Sequence, residues 1–278
     1  DFVFQRPQQL MTRFAERCPV IYWEEPAETL EASPRLAFRE NVVPGISVAT
    51  PQLPAGLTGE AAQAALAGLL DELIAAVGRP AVLWYYTPMM LPFSQHLKAD
   101  CVVYDCMDEL ANFRFAPPGL IELEDALIVK ADLVFTGGYS LYEAKRHRHP
   151  RVFPFPSSVD REHFGGARSP LDEPAALRDI PHPRLGFYGV IDERIDLELL
   201  AAVADAQPDW SLIMVGPVVK IDAADLPRRA NIHYLGSQPY ADLPAYLRGW
   251  DVALMPFAIN TATRFISPTK TPEYLAAG

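Results

Sequence analysis

The chain has 278 residues, of which 50% are apolar and 21% charged, and its net charge is −11. Those totals suit a soluble protein of about two domains at roughly 150 residues each, and the acidic balance argues against nucleic acid and against unaided binding to an anionic membrane. No apolar run reaches the roughly 18–20 residues of a membrane span and no signal peptide opens the chain; Cys18, Cys101 and Cys106 form no CxxC or zinc pattern and read as reduced, mostly buried thiols of a cytosolic protein.

Taken in order, residues Arg6 to Glu16 read as a helix with Leu10 and Phe14 on one face. The strand that should precede it is absent, and the chain starts at Asp1 without a methionine. Strands follow at Val20–Trp23 and Ile46–Ala49. Glu60–Val77 is a long helix, with Leu66, Leu69, Leu70, Leu73 and Ile74 at helical spacing. Ala81–Tyr86 and Cys101–Asp105 are strands, Leu120–Lys130 a helix and Leu133–Thr136 a strand. Tyr139–Arg146 is a helix and Val152–Phe155 a short strand. This alternation predicts a parallel, doubly wound sheet.

From 165 to 183 the pattern stops. GGARSPLDEPAALRDIPHP is rich in Pro, Gly and charge, as expected of an interdomain linker. The alternation then restarts with a strand at Arg184–Tyr188, a helix at Leu197–Ala206, and strands at Ser211–Val215 and Ile232–Leu235. A helix at Leu243–Arg248 and a strand at Val252–Met255 complete it. The expected organisation is a first Rossmann-like domain over 1–164, a linker over 165–183 and a second Rossmann-like domain over 184–278. The second domain reads as incomplete, because a strand should follow the helix that ends at Gly278.

The last helix contains Glu273, Tyr274 and Leu275. Pro272 is tolerated only in a first turn, so the helix begins between Pro268 and Thr271. Lys270 and the free N–H groups of that turn then lie at the carboxyl end of a strand, where open α/β sheets bind anionic ligands. Glu273 is placed to accept hydrogen bonds from hydroxyl groups of the same ligand. A nucleoside-diphosphate sugar fits this set: phosphate on Lys270 and the helix end, ribose on Glu273.

Four other stretches carry candidate chemistry. Gly189 ends a strand in a turn that lets backbone approach a phosphate, and Arg194 could pair with that phosphate bidentately; the plain alternative is a tight turn with Arg194 solvated, and Asp196 reads as a helix cap. Gly216 ends the next strand. Asp105 and Asp108 lie three apart near a strand end, and Asp108 could take a proton from an acceptor hydroxyl, although such residues also serve as caps and turn formers. Arg6 and Gln9 stand in the polar first turn of the opening helix. Tyr234 to Gly236 and Tyr240 read as core. The six histidines show no metal-ligand spacing, and there is no Asp-x-Asp.

Ser267-Pro268-x-Lys270-x-x-Glu273-Tyr274-Leu275-Ala276-Ala277-Gly278 resembles the donor-site signature of GT-B glycosyltransferases of the group 1, family four type. The resemblance implies two Rossmann-like domains facing across a cleft, Lys270 on the donor diphosphate and Glu273 on the ribose. Many members carry a second glutamate eight positions earlier; here that position is Phe265. Asn260-x-x-Thr263 resembles a subgroup that lacks that glutamate and acts in cell-surface polysaccharide synthesis. By the same resemblance the Gly189–Arg194 loop faces the diphosphate and Gly216 lies under the base. The Phe4–Gln9 opening lies near the acceptor or donor phosphate.

The expected catalytic set is therefore Asp108, Arg194 and Lys270. The expected donor set is Gly189, Arg194, Gly216, Asn260, Thr263, Ser267, Lys270 and Glu273. The expected activity is transfer of a sugar, with retention and without a metal or other cofactor, to a carbohydrate or lipid-linked acceptor. Its place is the cytoplasm, up to peripheral association with the inner face of the cell membrane. Two alternatives stand beside it. A nucleotide-sugar epimerase or hydrolase of the same fold would turn over donor without an acceptor, and a non-catalytic binding module would never release diphosphate.

Overall fold

The structure is a computed structural model and describes residues 6–113, 116–261 and 263–278. Phe4, Gln5 and the expected position of a strand before the first helix lie outside the described residues. The chain divides into two compact units. The first comprises Asp1–Met107, Pro117–Thr136 and Tyr142–Pro154, and the second Asp108–Ala116, Gly137–Leu141 and Phe155–Gly278.

In the first unit, α1 (Arg6–Ala15) leads to β1 (Val20–Trp23), β2 (Ala27–Thr29), β3 (Arg35–Val43) and β4 (Ile46–Pro54). β1 and β2 pair parallel with β4, whereas β3 pairs antiparallel with it. This antiparallel pair departs from the expected all-parallel sheet. Its cause is local: Pro44-Gly45 joins the two strands with Gly45 at φ 80°, a left-handed turn position that glycine adopts without steric cost. So short a connection can join only antiparallel neighbours.

α2 (Gly59–Val77) buries Leu66, Leu69, Leu70 and Leu73, the face expected from their spacing. Leu66, Leu69 and Leu70 pack with Leu53, Phe93 and Leu97. A second, parallel sheet runs β5 (Val82–Tyr85), β6 (Cys101–Cys106), β7 (Leu133–Thr136) and β8 (Val152–Pro154). Helices α3 (Leu91–Ser94), α4 (Leu120–Lys130) and α5 (Tyr139–Lys145) lie between its strands in sequence. At the end of β6, Asp105 is fully buried, and the Arg6 guanidinium donates to both its oxygens at 2.9 and 3.0 Å. Of the cysteines, Cys106 is buried and Cys101 half-buried, but Cys18 is exposed at the end of α1, which corrects the expectation of mostly buried thiols only for that residue.

The long segment of the second unit, Phe155–Gly278, opens with α6 (Arg161–Gly165) and continues through β9 (Arg184–Tyr188), α7 (Leu197–Ala206), β10 (Ser211–Val215) and β11 (Ile232–Gly236). It ends with α8 (Leu243–Arg248), β12 (Val252–Ala253) and α9 (Lys270–Ala277). The strands form one parallel sheet in the order β11-β10-β9-β12. β9 and β10 are buried along their whole length, as strands covered on both faces must be.

Alternate side chains of these strands feed two cores. Leu185, Phe187, Leu212 and Met214 meet α7 through Leu200 and Ala204. Tyr188, Ile213 and Val215 meet Phe164, Tyr246, Leu247 and Trp250 on the other face, with Tyr274, Ala276 and Ala277 of α9 against them. Gly186 is glycine because the Trp250 ring lies where a Cβ would be.

The stretch 165–183 is not a free linker; it belongs to this second core. Leu177 is 0% exposed and Ile180 buried. The buried Arg184 guanidinium donates to the carbonyls of Leu177 at 2.7 Å and Ile180 at 2.8 Å, and it pairs with Glu173 at 2.5 Å. A composition that signals a linker thus conceals two apolar anchors and a buried cation that satisfies the irregular backbone around them. Among the described residues, no helix is long and apolar enough to cross a membrane.

Candidate functional site

Three loops of the second unit, each after a strand, carry the candidate residues. The first follows β9. Gly189 has φ 147° and donates its N–H to Val215 O at 2.9 Å. A Cβ there would stand 3.2 Å from Cε of Lys270, so the lysine stem lies against the glycine turn. Gly216, at φ 142°, stands so close that a Cβ would overlap the carbonyl oxygen of Gly189. The two glycines therefore form one tightly apposed pair of strand ends. A packing requirement of this kind is sufficient to explain Gly216.

Beyond Gly189 the loop turns through Asp192 and Arg194. Nε of Arg194 donates to Oδ1 of the buried Asp192 at 2.8 Å, and the Arg194 backbone N–H shares that oxygen at 3.0 Å. The loop is tied down by bonds from Asp196 N to Pro256 O and from Ala258 N to Arg194 O. Asp196 caps α7 by accepting from Leu199 N at 2.8 Å, the role its position suggested. The Arg194 charge acts on two neighbours: it opposes the rise of the Asp108 pKa and helps depress that of Lys270. Burial lifts the Asp108 carboxyl to about 6 against that pull.

The last loop delivers α9, which begins at Lys270, inside the range that Pro272 allows. No side chain caps its start; Pro272 has no N–H to offer, and the N–H groups of Thr271 and Glu273 donate to Pro268 O and Thr269 O at 3.3 Å, which leaves the backbone N–H of Lys270 for an anion. Burial pushes the Lys270 ammonium below the ordinary lysine range, opposed by Glu273, 3.9 Å away. Burial pushes the Glu273 carboxyl up, opposed by Lys270, by the Tyr188 hydroxyl and by His163. That hydroxyl donates to Oε2 of Glu273 at 2.5 Å. The Lys270 ammonium stands 5.2 Å from the centre of the Tyr188 ring.

The remaining predicted residues fall around this loop in more local roles. Asn260 and Thr263 bond each other reciprocally: Asn260 N donates to Thr263 Oγ1 at 3.1 Å, and Thr263 N to Asn260 Oδ1 at 3.0 Å. Together with Phe257, Ile259, Ile266 and Pro268 they line an open pocket. Ser267 stands so near Gly138 that a Cβ there would come 2.9 Å from its own, which is a packing reason for glycine at that position. Tyr240 stacks on His163 with centroids 4.2 Å apart, and Tyr234 donates to Pro227 O, so both belong to packing.

The structure thus gathers Gly189, Arg194, Lys270, Glu273 and Asp108 electrostatically or sterically. Asn260, Thr263 and Ser267 share the loop before α9 without a described contact to that group. Tyr188 had no predicted role. The signal was a residue with a polar tip following the apolar Leu185–Phe187 run of a buried strand, since a buried tyrosine hydroxyl requires a partner.

No protein-family model matches the chain. Over an alignment 234 positions long that covers 77% of the chain, it is 27% identical to the "Putative teichuronic acid biosynthesis glycosyltransferase TuaH" of Bacillus subtilis (strain 168), and the chain spans 58% of that relative. Two solved structures share its fold. A sucrose-phosphate synthase from Thermosynechococcus elongatus has a TM-score of 0.63 at 16% identity, over 91% of this chain and 70% of that one. An OtsA apo structure has a TM-score of 0.65 at 13% identity, over 100% of this chain and 80% of that one. The fold is the α/β, two-Rossmann-domain architecture of the GT-B glycosyltransferases.

Proposed function

We propose that the chain transfers a sugar from a nucleoside-diphosphate sugar to an acceptor hydroxyl during synthesis of a cell-surface polysaccharide or glycolipid. The observation that carries this reading is the Lys270 stem lying against the Gly189 turn at the uncapped start of α9, with the Arg194 charge acting on it. Two cations and the Lys270 backbone N–H make a site for a diphosphate. Glu273, 3.9 Å from Lys270, is the acceptor of hydroxyl hydrogens that a ribose beside that diphosphate would offer. The relative's printed role in teichuronic acid biosynthesis supports a polysaccharide product.

In the reaction the bond from the anomeric carbon to the diphosphate oxygen breaks, and its electron pair leaves with the diphosphate. The Lys270 ammonium and backbone N–H together with Arg194 stabilise that charge, the role that metal ions play in other transferases. The acceptor oxygen bonds to the anomeric carbon from the face that the diphosphate leaves, and its proton passes to a base. Asp108, with a pKa of about 6, is suited to that task near neutral pH. Ser267, Asn260 and Thr263 line the sugar side, and Gly216 the base side. Retention of anomeric configuration, a carbohydrate or lipid-linked acceptor and work at the inner face of the cell membrane complete the reading.

Calorimetry with UDP and ADP tests it. Lys270→Ala and Glu273→Ala are each expected to weaken binding by roughly 1.5–3 kcal/mol, the cost of a charged hydrogen bond. Unchanged affinity in both variants would remove Lys270 and Glu273 from the donor site.

A further inference from the structure

Tyr188 touches both of the residues that the proposed donor site depends on, and it does so through different parts of one side chain. It closes β9, immediately before the Gly189 turn. Its ring is held from several directions: by Phe164 at 6.2 Å in a stacked arrangement, by Tyr274 at 5.4 Å edge-on and by Trp250 at 6.1 Å. Only 4% of the residue is exposed. A ring fixed in this way has little rotamer freedom to lose when it binds its neighbours. Its hydroxyl donates to Oε2 of Glu273 at 2.5 Å, and the Lys270 ammonium stands 5.2 Å from its ring centre, within the range of a cation–π contact.

We infer that Tyr188 is a positioning residue that presents Glu273 and Lys270 together, the first through its hydroxyl and the second through its ring face, so that ribose and diphosphate are recognised as one unit. The reason is geometric. A glutamate and a lysine only 3.9 Å apart attract each other, and a full collapse into a mutual ion pair would occupy the groups each needs for a ligand. The tyrosine offers each a competing partner. The carboxylate is held by one oxygen, which leaves Oε1 without a described partner on the protein. The ammonium is attracted by the ring quadrupole, which consumes none of its three N–H donors. The other charged or titratable groups acting on Glu273 and Lys270 are His163, Arg194 and Tyr274, and none combines both contacts.

This inference rests on the proposed function for its ligand but not for its test. The first measurement uses the whole chain without nucleotide, following the Glu273 carboxyl and Lys270 Cε by carbon-13 NMR titration. In Tyr188→Phe, which keeps the ring, Glu273 is expected to titrate at higher pH while Lys270 stays where it was. In Tyr188→Met, which keeps apolar bulk without a ring, Lys270 is expected to titrate at lower pH as well. An unmoved Glu273 in the phenylalanine variant overturns the inference. So does an unmoved Lys270 in the methionine variant, and a merely structural tyrosine would not divide the two effects.

The second measurement compares UDP and ADP with their 2′,3′-dideoxy counterparts. Loss of the ribose hydroxyls is expected to cost the unaltered chain about tenfold in affinity and the Tyr188→Phe chain several-fold less. An equal penalty in both chains counts against the ribose part of the inference. If the unaltered chain binds none of these nucleotides, the proposed function fails, while the two titrations still decide what Tyr188 does.

Discussion

A methyl group on Gly216 would overlap the carbonyl oxygen of Gly189. The ends of β9 and β10 are therefore in backbone contact, and both glycines hold positive φ angles, 147° and 142°, that are essentially closed to other residues. Gly216→Ala is expected to cost more than the ~1–3 kcal/mol of a strained backbone angle alone, because the Gly189 peptide must also move. Gly189→Ala meets only the Phe187 ring edge at 3.0 Å and the Lys270 stem at 3.2 Å and is expected to cost less. Urea unfolding of the two variants checks the order, and the reverse order would contradict it.

Asp108 sets a distinct pH dependence. Burial raises its folded-state pKa from 3.8 to about 6. Between those values the folded chain holds a proton that the unfolded chain has released. The stability from that proton is complete below pH 4 and is lost as pH rises through 6, an effect of up to about 3 kcal/mol. Asp108→Asn is expected to abolish it, so the stability of the variant relative to the unaltered chain should grow between pH 4 and pH 7. Parallel stability profiles for the two chains would show that Asp108 does not titrate in that window.

In the first unit, Glu124 accepts from Lys145 at 2.8 Å, Arg148 at 2.7 Å and Tyr104 at 2.9 Å. Lys145 is 1% exposed and Glu124 7%. Burial raises the Glu124 carboxyl, but Lys145 and Arg148 together outweigh it and hold it below the ordinary range, so its stabilising contribution persists above that range and is lost as pH falls through the folded value. Glu124→Gln at neutral pH leaves the lysine charge buried without its anion and is expected to cost about 3–5 kcal/mol. Glu124→Leu combined with Lys145→Met is expected to cost less than the single change. Thermal and urea unfolding of the three chains decide; a double variant weaker than the single one would refute the account.

How much of this was legible depended on the range of the interaction involved. Leu120–Lys130, Leu197–Ala206 and Arg184–Tyr188 coincide with the elements expected from periodicity, because burial on one or both faces is written in the local pattern. The start of α9 was legible because Pro272 permits few alternatives, and Asp196 because a cap needs only its own first turn. The antiparallel β3 stands outside the expected elements, although Pro44-Gly45 between two Val/Ile runs is a turn signal.

The packing of 165–183 was illegible for another reason. Leu177 and Ile180 are two apolar residues without periodicity, and the guanidinium that anchors them comes from Arg184, seven and four residues further on. Tyr188 and Glu273 stand 85 residues apart, and nothing in either neighbourhood announces the other. The roles assigned to Arg194, Lys270 and Glu273 came from a motif, and what the structure adds is their electrostatic neighbourhood.

The clasp between Arg6 and Asp105 has a kinetic consequence. Its partners are 99 residues apart, so on a disordered chain bringing them together costs roughly 4 kcal/mol in the length-dependent part of loop-closure entropy. Once α1 and the β6 strand are in place the same contact closes at almost no such cost, which makes it a late event in the assembly of the first unit. A late contact governs how fast the native state is left rather than how fast it is reached. Arg6→Met should accordingly steepen the loss of the native state in a stopped-flow experiment by raising the unfolding rate, with the refolding rate nearly unchanged; slowed refolding would place the clasp in the folding nucleus instead.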